Sequence, residues 1–269
     1  MRDIFYRLNR IRILRNILFL SAFIFFMLVM LINHIMTKEE WLYALLIFDN
    51  VIVLVILIYF IEVKVGKDYS ILYSQEFIPL LLKSISPNFH YEITPREFKG
   101  SLINVFDYDS KININHLVHM KDSLNEYWFY DAQVYYKSSL LNKIVQFKGY
   151  IIVLPIKNEE DLIICQKKFY LGCCKELNEL NFRDYKVYNK SHQVLNLDLF
   201  NRLKQVILKY PKLESYASLN HKMMIFKSNR ISFFRKPIFK KINQSFFEFK
   251  KDEFEKINDM VVNFIKCYK

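Results

Sequence analysis

Residues 16–61 read NILFLSAFIFFMLVMLINHIMTKEEWLYALLIFDNVIVLVILIYFI. Two apolar runs stand back to back in this stretch, Asn16 to Met36 and Trp41 to Ile61, with only Thr37, Lys38, Glu39 and Glu40 between them. Each run is about 20 residues, the length at which a helix crosses a hydrocarbon core roughly 30 Å thick. A link that short forces the two helices to run antiparallel. The expected organisation is a transmembrane helical hairpin within residues 1–63, with spans at about 16–36 and 41–61, followed by one domain over residues 64–269.

Charge orients the hairpin. Arg2, Arg7, Arg10, Arg12 and Arg15 precede the first run against a single Asp3, the link carries Lys38, and Lys64 and Lys67 follow the second run. Positive residues gather at cytoplasmic ends of spans. Both termini and the main domain are therefore expected on the cytoplasmic side of the inner membrane. A signal peptide has a shorter apolar core and a small-residue cleavage site after it, and neither is present.

The residues after the hairpin are rich in Phe and Tyr, enough to bury the core of one α+β domain. Gly66, Gly100, Gly149 and Gly172 are the full set of glycines. Neither G-x-G-x-x-G nor a P-loop can be written with these positions, which excludes the glycine-rich nucleotide folds. Cys165, Cys173, Cys174 and Cys267 contain no C-x-x-C pair, so no zinc half-site is formed. They are expected as reduced, packed thiols in a cytoplasmic domain. No metal and no cofactor is expected.

Along the domain, Tyr69, Leu72, Phe77, Leu80, Leu81 and Ile85 predict an amphipathic juxtamembrane helix kinked or broken at Pro79. Phe89 to Phe98 is extended, and Ser101 to Tyr108 completes a following helix. Tyr127 to Tyr136, Ile144 to Leu154 and Leu162 to Tyr170 are strands, the first two a hairpin and the second carrying a bulge at Lys148-Gly149. Asp198 caps a helix with apolar positions Leu199, Phe200, Leu203, Val206, Ile207 and Tyr210, and Pro211 stops it. Lys222 to Lys227 and Ile231 to Arg235 are read as two strands around a Ser228-Asn229-Arg230 turn. Lys251 to Cys267 is the C-terminal helix. The fold class is α+β with antiparallel strands.

Certain motifs stand in a telling order. Two membrane helices precede Phe77-x-Pro79, Phe89-x-Tyr91 and Phe98-x-x-Ser101. A strand then ends Phe147-Lys148-Gly149-Tyr150 with the exit Val153-Leu154-Pro155, and Tyr185-x-Val187-Tyr188 precedes a helix and a hairpin. This order resembles the bacterial domain-of-unknown-function family numbered thirty-one thirty-seven, over about residues 70–250. The acidic and glycine residues expected after Phe98-x-x-Ser101 are thinned here to Asp107, Asp109 and Asn115. The resemblance implies an architecture of two membrane helices and a cytoplasmic domain, no catalytic residue, and a membrane protein of the LemA type as a partner.

Several groups carry chemistry in principle. Asp49 and Asn50 lie inside the second run, and a carboxylate at that depth costs about 3 kcal/mol on insertion scales. His34 and Asn33 near the outer end of the first run are pairing candidates across the hairpin; a proton- or partner-sensing contact is the functional reading, and a plain helix–helix hydrogen bond or an oligomer contact the alternative. His116-Leu117-Val118-His119 has a metal-like spacing but no third ligand fixed by pattern, and an exposed helix or loop is the plainer reading. Asp107-Tyr108-Asp109-Ser110 lacks the glycine and closing Glu of a calcium loop. Cys165 with His192 or His221 would be a nucleophile and base only if folding joined them.

The largest charge signal is late. Residues 183–251 hold 16 Lys or Arg against Asp184, Asp198, Glu214 and Glu248, a balance equal to the whole chain's +12. Within it Lys222, Lys227, Arg230, Arg235, Lys236, Lys240 and Lys241 interleave with aromatics and meet no acidic residue. An anionic membrane surface attracts each such cation by about 1 kcal/mol. Single-stranded nucleic acid is a less favoured partner, and a solvated hairpin face the plain alternative. The sequence thus favours a non-enzymatic binding or regulatory module at the membrane, over a membrane-tethered enzyme acting on a lipid or nucleotide and over a nucleic-acid sensor.

Overall fold

The computed structural model describes residues 1–36, 39–99, 110–137, 143–155, 162–166, 178–182, 185–189, 197–209, 215–218, 223–227, 233–234 and 236–268. The fold is α+β. The chain divides into two compact units, one of residues 1–81 with 235–249, the other of residues 82–234 with 250–269. The boundary expected at residues 63 and 64 falls inside a helical run that continues from Glu40 to Ile85.

In the first unit, α1 (Arg2–Met36) and α2 (Glu40–Ile61) are both long and apolar enough to cross a membrane. They touch at both ends. Arg15 Nε donates to Glu62 Oε2 at 2.7 Å, and the His34 and Tyr43 rings lie 5.4 Å apart. The helical run does not stop after α2. It passes through a π-helical turn (Glu62–Gly66), α3 (Lys67–Leu72), a second π-helical turn (Tyr73–Phe77) and α4 (Ile78–Ile85). Pro79 does not break it. Pro79 has no N–H to return to the preceding turn, and the π turn closes just before it, with the Ile78 N–H bonded to Tyr73 O five residues back.

The second π turn also re-aims the buried face. Tyr69, Leu72 and Tyr73 are buried before it, and Phe77, Ile78, Leu81 and Leu82 after it, one residue later than a 3.6 repeat would continue. Phe77 stacks on Tyr73 at 4.7 Å and meets Phe247 edge-on at 5.8 Å; Phe5 of α1 lies 6.1 Å from Phe247. Burying each such ring contributes about 2–3 kcal/mol relative to leaving it exposed.

Among its described residues the second unit carries nine strands, β1 (Phe89–Ile93), β2 (Lys111–Lys121), β3 (Glu126–Lys137), β4 (Lys143–Val153), β5 (Leu162–Gln166), β6 (Asn178–Phe182), β7 (Tyr185–Asn189), β8 (Ser215–Ser218) and β9 (Met223–Lys227). They form one sheet in the order β1-β2-β3-β4-β9-β8-β5-β7-β6, antiparallel at every pairing. The helix expected from Asp198 is α5 (Leu197–Lys209), with Leu199 and Leu203 buried. The last helix, α6 (Gln244–Lys266), begins about two turns before the expected Lys251. Its cap is Asn243, whose Oδ1 accepts the Phe246 N–H at 2.9 Å. On the second unit's side, Phe254 of α6 packs on Phe89 and Phe129, and the Tyr127 hydroxyl donates to Asn258 at 2.7 Å.

Three expectations are corrected. The bulge between β3 and β4 lies between Phe147 and Val145, opposite Val134 and Tyr135, while Gly149 stays in regular register with Ala132 and Lys227. The His116–His119 stretch is strand β2, not a helix or loop. The strand expected at Lys222–Lys227 is β9, paired on both edges by β4 and β8 and not by the expected Ile231–Arg235 strand, of which Phe233 and Phe234 lie buried in a turn and the rest lies outside the described residues. The helix expected over 101–108 lies outside the described residues.

Candidate functional site

The basic end of α1 is built into the first unit. Arg12 and Arg15 are 8% and 6% exposed. Arg15 faces the first π turn, where Glu62 takes Arg15 at 2.7 Å and Lys236 Nζ at 3.8 Å. Gly66 leaves room for the Glu62 carboxylate at this spot. A Cβ on Gly66 would lie 2.5 Å from Glu62 Cδ and 2.6 Å from Oε2, so the carboxylate occupies the space a side chain would fill.

Lys236 closes the cluster from the far end of the sequence. Its ammonium donates to Gly66 O at 2.9 Å and Ser70 Oγ at 2.5 Å, and lies 5.3 Å from the Tyr69 ring centre. Burial lowers the Lys236 pKa and Arg15 adds to this, while Glu62 opposes it. The buried Tyr69 hydroxyl donates to Pro237 O at 2.7 Å, and burial pushes its pKa up against the pull of Arg12 and Arg15.

The segment after Lys236 is laid along α1. Arg12 Nη1 donates to Phe239 O, Asn9 Nδ2 to Ile242 O at 2.6 Å, and Asn16 Nδ2 to Ile238 O at 3.3 Å. Asn9 Oδ1 in turn accepts the Ile242 N–H at 3.0 Å. Asn9, Arg12 and Asn16 are spaced three and four apart and share one helix face. Among the described residues Arg12 Nε and Arg15 Nη1 are buried without a hydrogen-bond partner. Two cations, Arg15 and Lys236, therefore share one carboxylate, and a third, Arg12, lies with Arg15 near the buried Tyr69 hydroxyl. Uncompensated buried charge is costly, so this arrangement favours an anion nearby.

A second feature lies on the sheet. Residues Glu92 to Glu97 with Lys99, Leu117, His119, Trp128 and Tyr130 line a cleft of about 740 Å³. His119 stacks on Trp128, the rings 5.0 Å apart and within 3° of parallel, and its Nε2–H donates to Glu126 at 3.0 Å. Thr94 on the rim has φ 49°, a left-handed conformation that costs a β-branched residue about 1–3 kcal/mol. It is held there by its N–H bond to Asn115 O at 2.9 Å. Lys99 pairs with Glu97, and the Lys99 N–H reaches the Tyr130 hydroxyl at 3.1 Å.

The residues singled out in the sequence fall as follows. His116 and His119 point to opposite faces of β2, because a spacing of three on a strand of period two separates them. His116 stacks against Phe234 at 4.7 Å and lies 2.8 Å from the Tyr91 hydroxyl, and burial takes its pKa down to about 4. Among the described residues no group of three His, Cys, Asp or Glu is placed to hold a metal ion. Asp49 is exposed on α2, and Asn50 is half-buried with Nδ2 unpartnered among the described residues. His34 meets Tyr43, which is six residues from Asp49 and so about 9 Å away along the helix. Lys240 and Lys241 are exposed, and Lys227 ends β9. Lys222, Arg230, Arg235, Asp107, Asp109, His192, His221, Cys173 and Cys174 lie outside the described residues. Cys165 is on β5, with its side chain outside them.

Arg12, Arg15, Glu62 and Gly66 do not stand out as a group in the sequence. A signal is there: pairing the helices end to end puts Arg15, just before the first apolar run, beside Glu62, just after the second. No protein-family model, curated protein or solved structure matches the chain.

Proposed function

We propose that this protein is a binding or regulatory module anchored in the bacterial inner membrane, with α1 and α2 as a transmembrane hairpin and both termini and the sheet on the cytoplasmic side. One observation carries the reading. The apolar α2 runs without interruption into a folded unit whose core and charge cluster are completed by the basic end of α1 and by residues 236–249. A passive tether needs only a linker at this point. A continuous helix with paired charges suits a protein whose membrane segment and folded body act together.

The sheet cleft supplies a place for a partner or soluble ligand, with aromatic faces and a few polar groups of the kind that fix orientation. The family resemblance belongs to the same proposal, and with it a LemA-type membrane partner. The test is topological. A reporter active only in the cytoplasm, fused after Lys269, is expected to work, and the protein is expected to stay in the membrane through alkaline extraction. A reporter that works only in the periplasm reverses the orientation, and release by alkali removes the anchor.

A further inference from the structure

The segment from Lys236 to Lys241 turns apolar side chains outward between cations. Phe239 is 82% exposed and Ile238 47%, and Lys240 and Lys241 beside them are exposed. This exposure is imposed by a fixed backbone. The carbonyls of Pro237, Ile238 and Phe239 each accept a side-chain donor, from Tyr69, Asn16 and Arg12. The ladder on α1 ends at Asn16, the first residue of the apolar run. The outward-facing tips are therefore held at the height where the helix becomes apolar. Behind them Arg12, Arg15 and Lys236 outnumber Glu62, and two buried guanidinium N–H groups have no partner among the described residues.

We infer that residues 236–241 form an interfacial lipid-binding loop: Ile238 and Phe239 enter the boundary between headgroups and acyl chains of the cytoplasmic leaflet, and the surrounding cations take the phosphates of anionic lipids. The inference rests on the membrane-spanning reading of α1 and α2. Apolar tips on a cationic surface are the chemistry of peripheral insertion, driven by apolar burial and by attraction to anionic headgroups. The alternation of base-stacking rings that a nucleic-acid groove would present is absent from these six residues, of which only Phe239 is aromatic.

The test uses the full chain reconstituted into vesicles of anionic lipid brominated on the acyl chains. The difference in emission between the parent and Phe239→Trp reports an indole at position 239. The difference between the parent and Trp41→Phe reports the far end of α2. The expected result is that the introduced indole is quenched to the same extent as Trp41. Its quenching should fall in zwitterionic vesicles and fall again with Lys240→Gln and Lys241→Gln. Quenching of Trp41 with an unquenched, red-shifted indole at position 239 overturns the loop inference alone. Loss of quenching at Trp41 overturns the spanning reading and this inference with it. An indole at position 239 that ignores lipid bromine but is quenched by a single-stranded oligonucleotide assigns the loop to nucleic acid instead.

Discussion

Arg15 and Glu62, 47 residues apart, meet at 2.7 Å where α1 turns apolar and α2 has just ceased to be. Together with the His34–Tyr43 contact at the other end, this pair fixes which residues of the two helices lie level. It also ties the charge balance of the first unit to a glycine, because the Glu62 carboxylate fills the space over Gly66.

Gly66→Ala and Glu62→Ala should therefore couple. Gly66 has ordinary right-handed helical angles, so alanine would gain about 1 kcal/mol of helix propensity there. In the parent that gain is offset by displacing the carboxylate from Arg15, worth about 1 kcal/mol because Glu62 is half-exposed. In the Glu62→Ala background the gain should appear whole. A double-mutant cycle from thermal unfolding in detergent checks this, and additive effects would count against the carboxylate being held over Gly66.

Asp49 should report a contact between chains. By the register the two end contacts set, it lies level with Leu28 of α1, where neighbouring side chains are apolar. A carboxylate at that depth of a bilayer seeks a hydrogen-bond donor. Cross-linking of the full chain in native membranes is expected to give an adduct that Asp49→Leu loses. Identical patterns would leave Asp49 without this role.

His116 should make stability depend on pH. Its folded pKa, about 4, lies below the ordinary 6.5. As pH falls below about 6.5 the unfolded chain takes the proton first, so the contribution is present above that pH and lost on the way down to about 4. At 1.36 kcal/mol per unit this is about 3 kcal/mol at most. His116→Phe keeps a ring for Phe234 to stack on and should flatten the slope of melting temperature against pH in that window. A parent with no slope there would show that His116 titrates as an exposed imidazole.

Cys267 should be silent to alkylation in the native protein. It is buried, its Sγ–H donates to Asn263 O at 3.3 Å, and burial pushes its pKa up against the pull of Arg202. The thiolate is the reactive form. Mass spectrometry after maleimide treatment is expected to find Cys267 modified only once the chain is denatured. A fourfold Ser replacement of Cys165, Cys173, Cys174 and Cys267 should leave a folded protein, read by an unchanged circular dichroism melt.

What can be read from sequence is what repeats locally. The apolar runs, β3, β4 and α5 all show their period. Strand β2 does not, because the irregularity between Ile114 and His116 breaks its alternation and puts polar residues where apolar ones would mark a face. The start of α6 has a legible cap in Asn243, but the acidic pair Asp252 and Glu253 competes with it as an N-terminal signal. The basic stretch misleads for a different reason. Its interleaved charges describe neither which strands flank β9 nor that Phe233 and Phe234 turn inward. The charge cluster joins Arg12 to Phe239, 227 residues away, and no local pattern encodes such a contact.

The two π turns give the helical run from Glu40 to Ile85 a stepped transmission. Each inserts one residue, and one residue is about 100° of rotation. Converting either turn to α geometry would rotate the helical residues that follow it within the first unit by that angle, exchanging Phe77 for Glu76 on the inward side. The helix face that packs inward is thus set in whole-residue steps, at Glu62–Gly66 and again at Tyr73–Phe77.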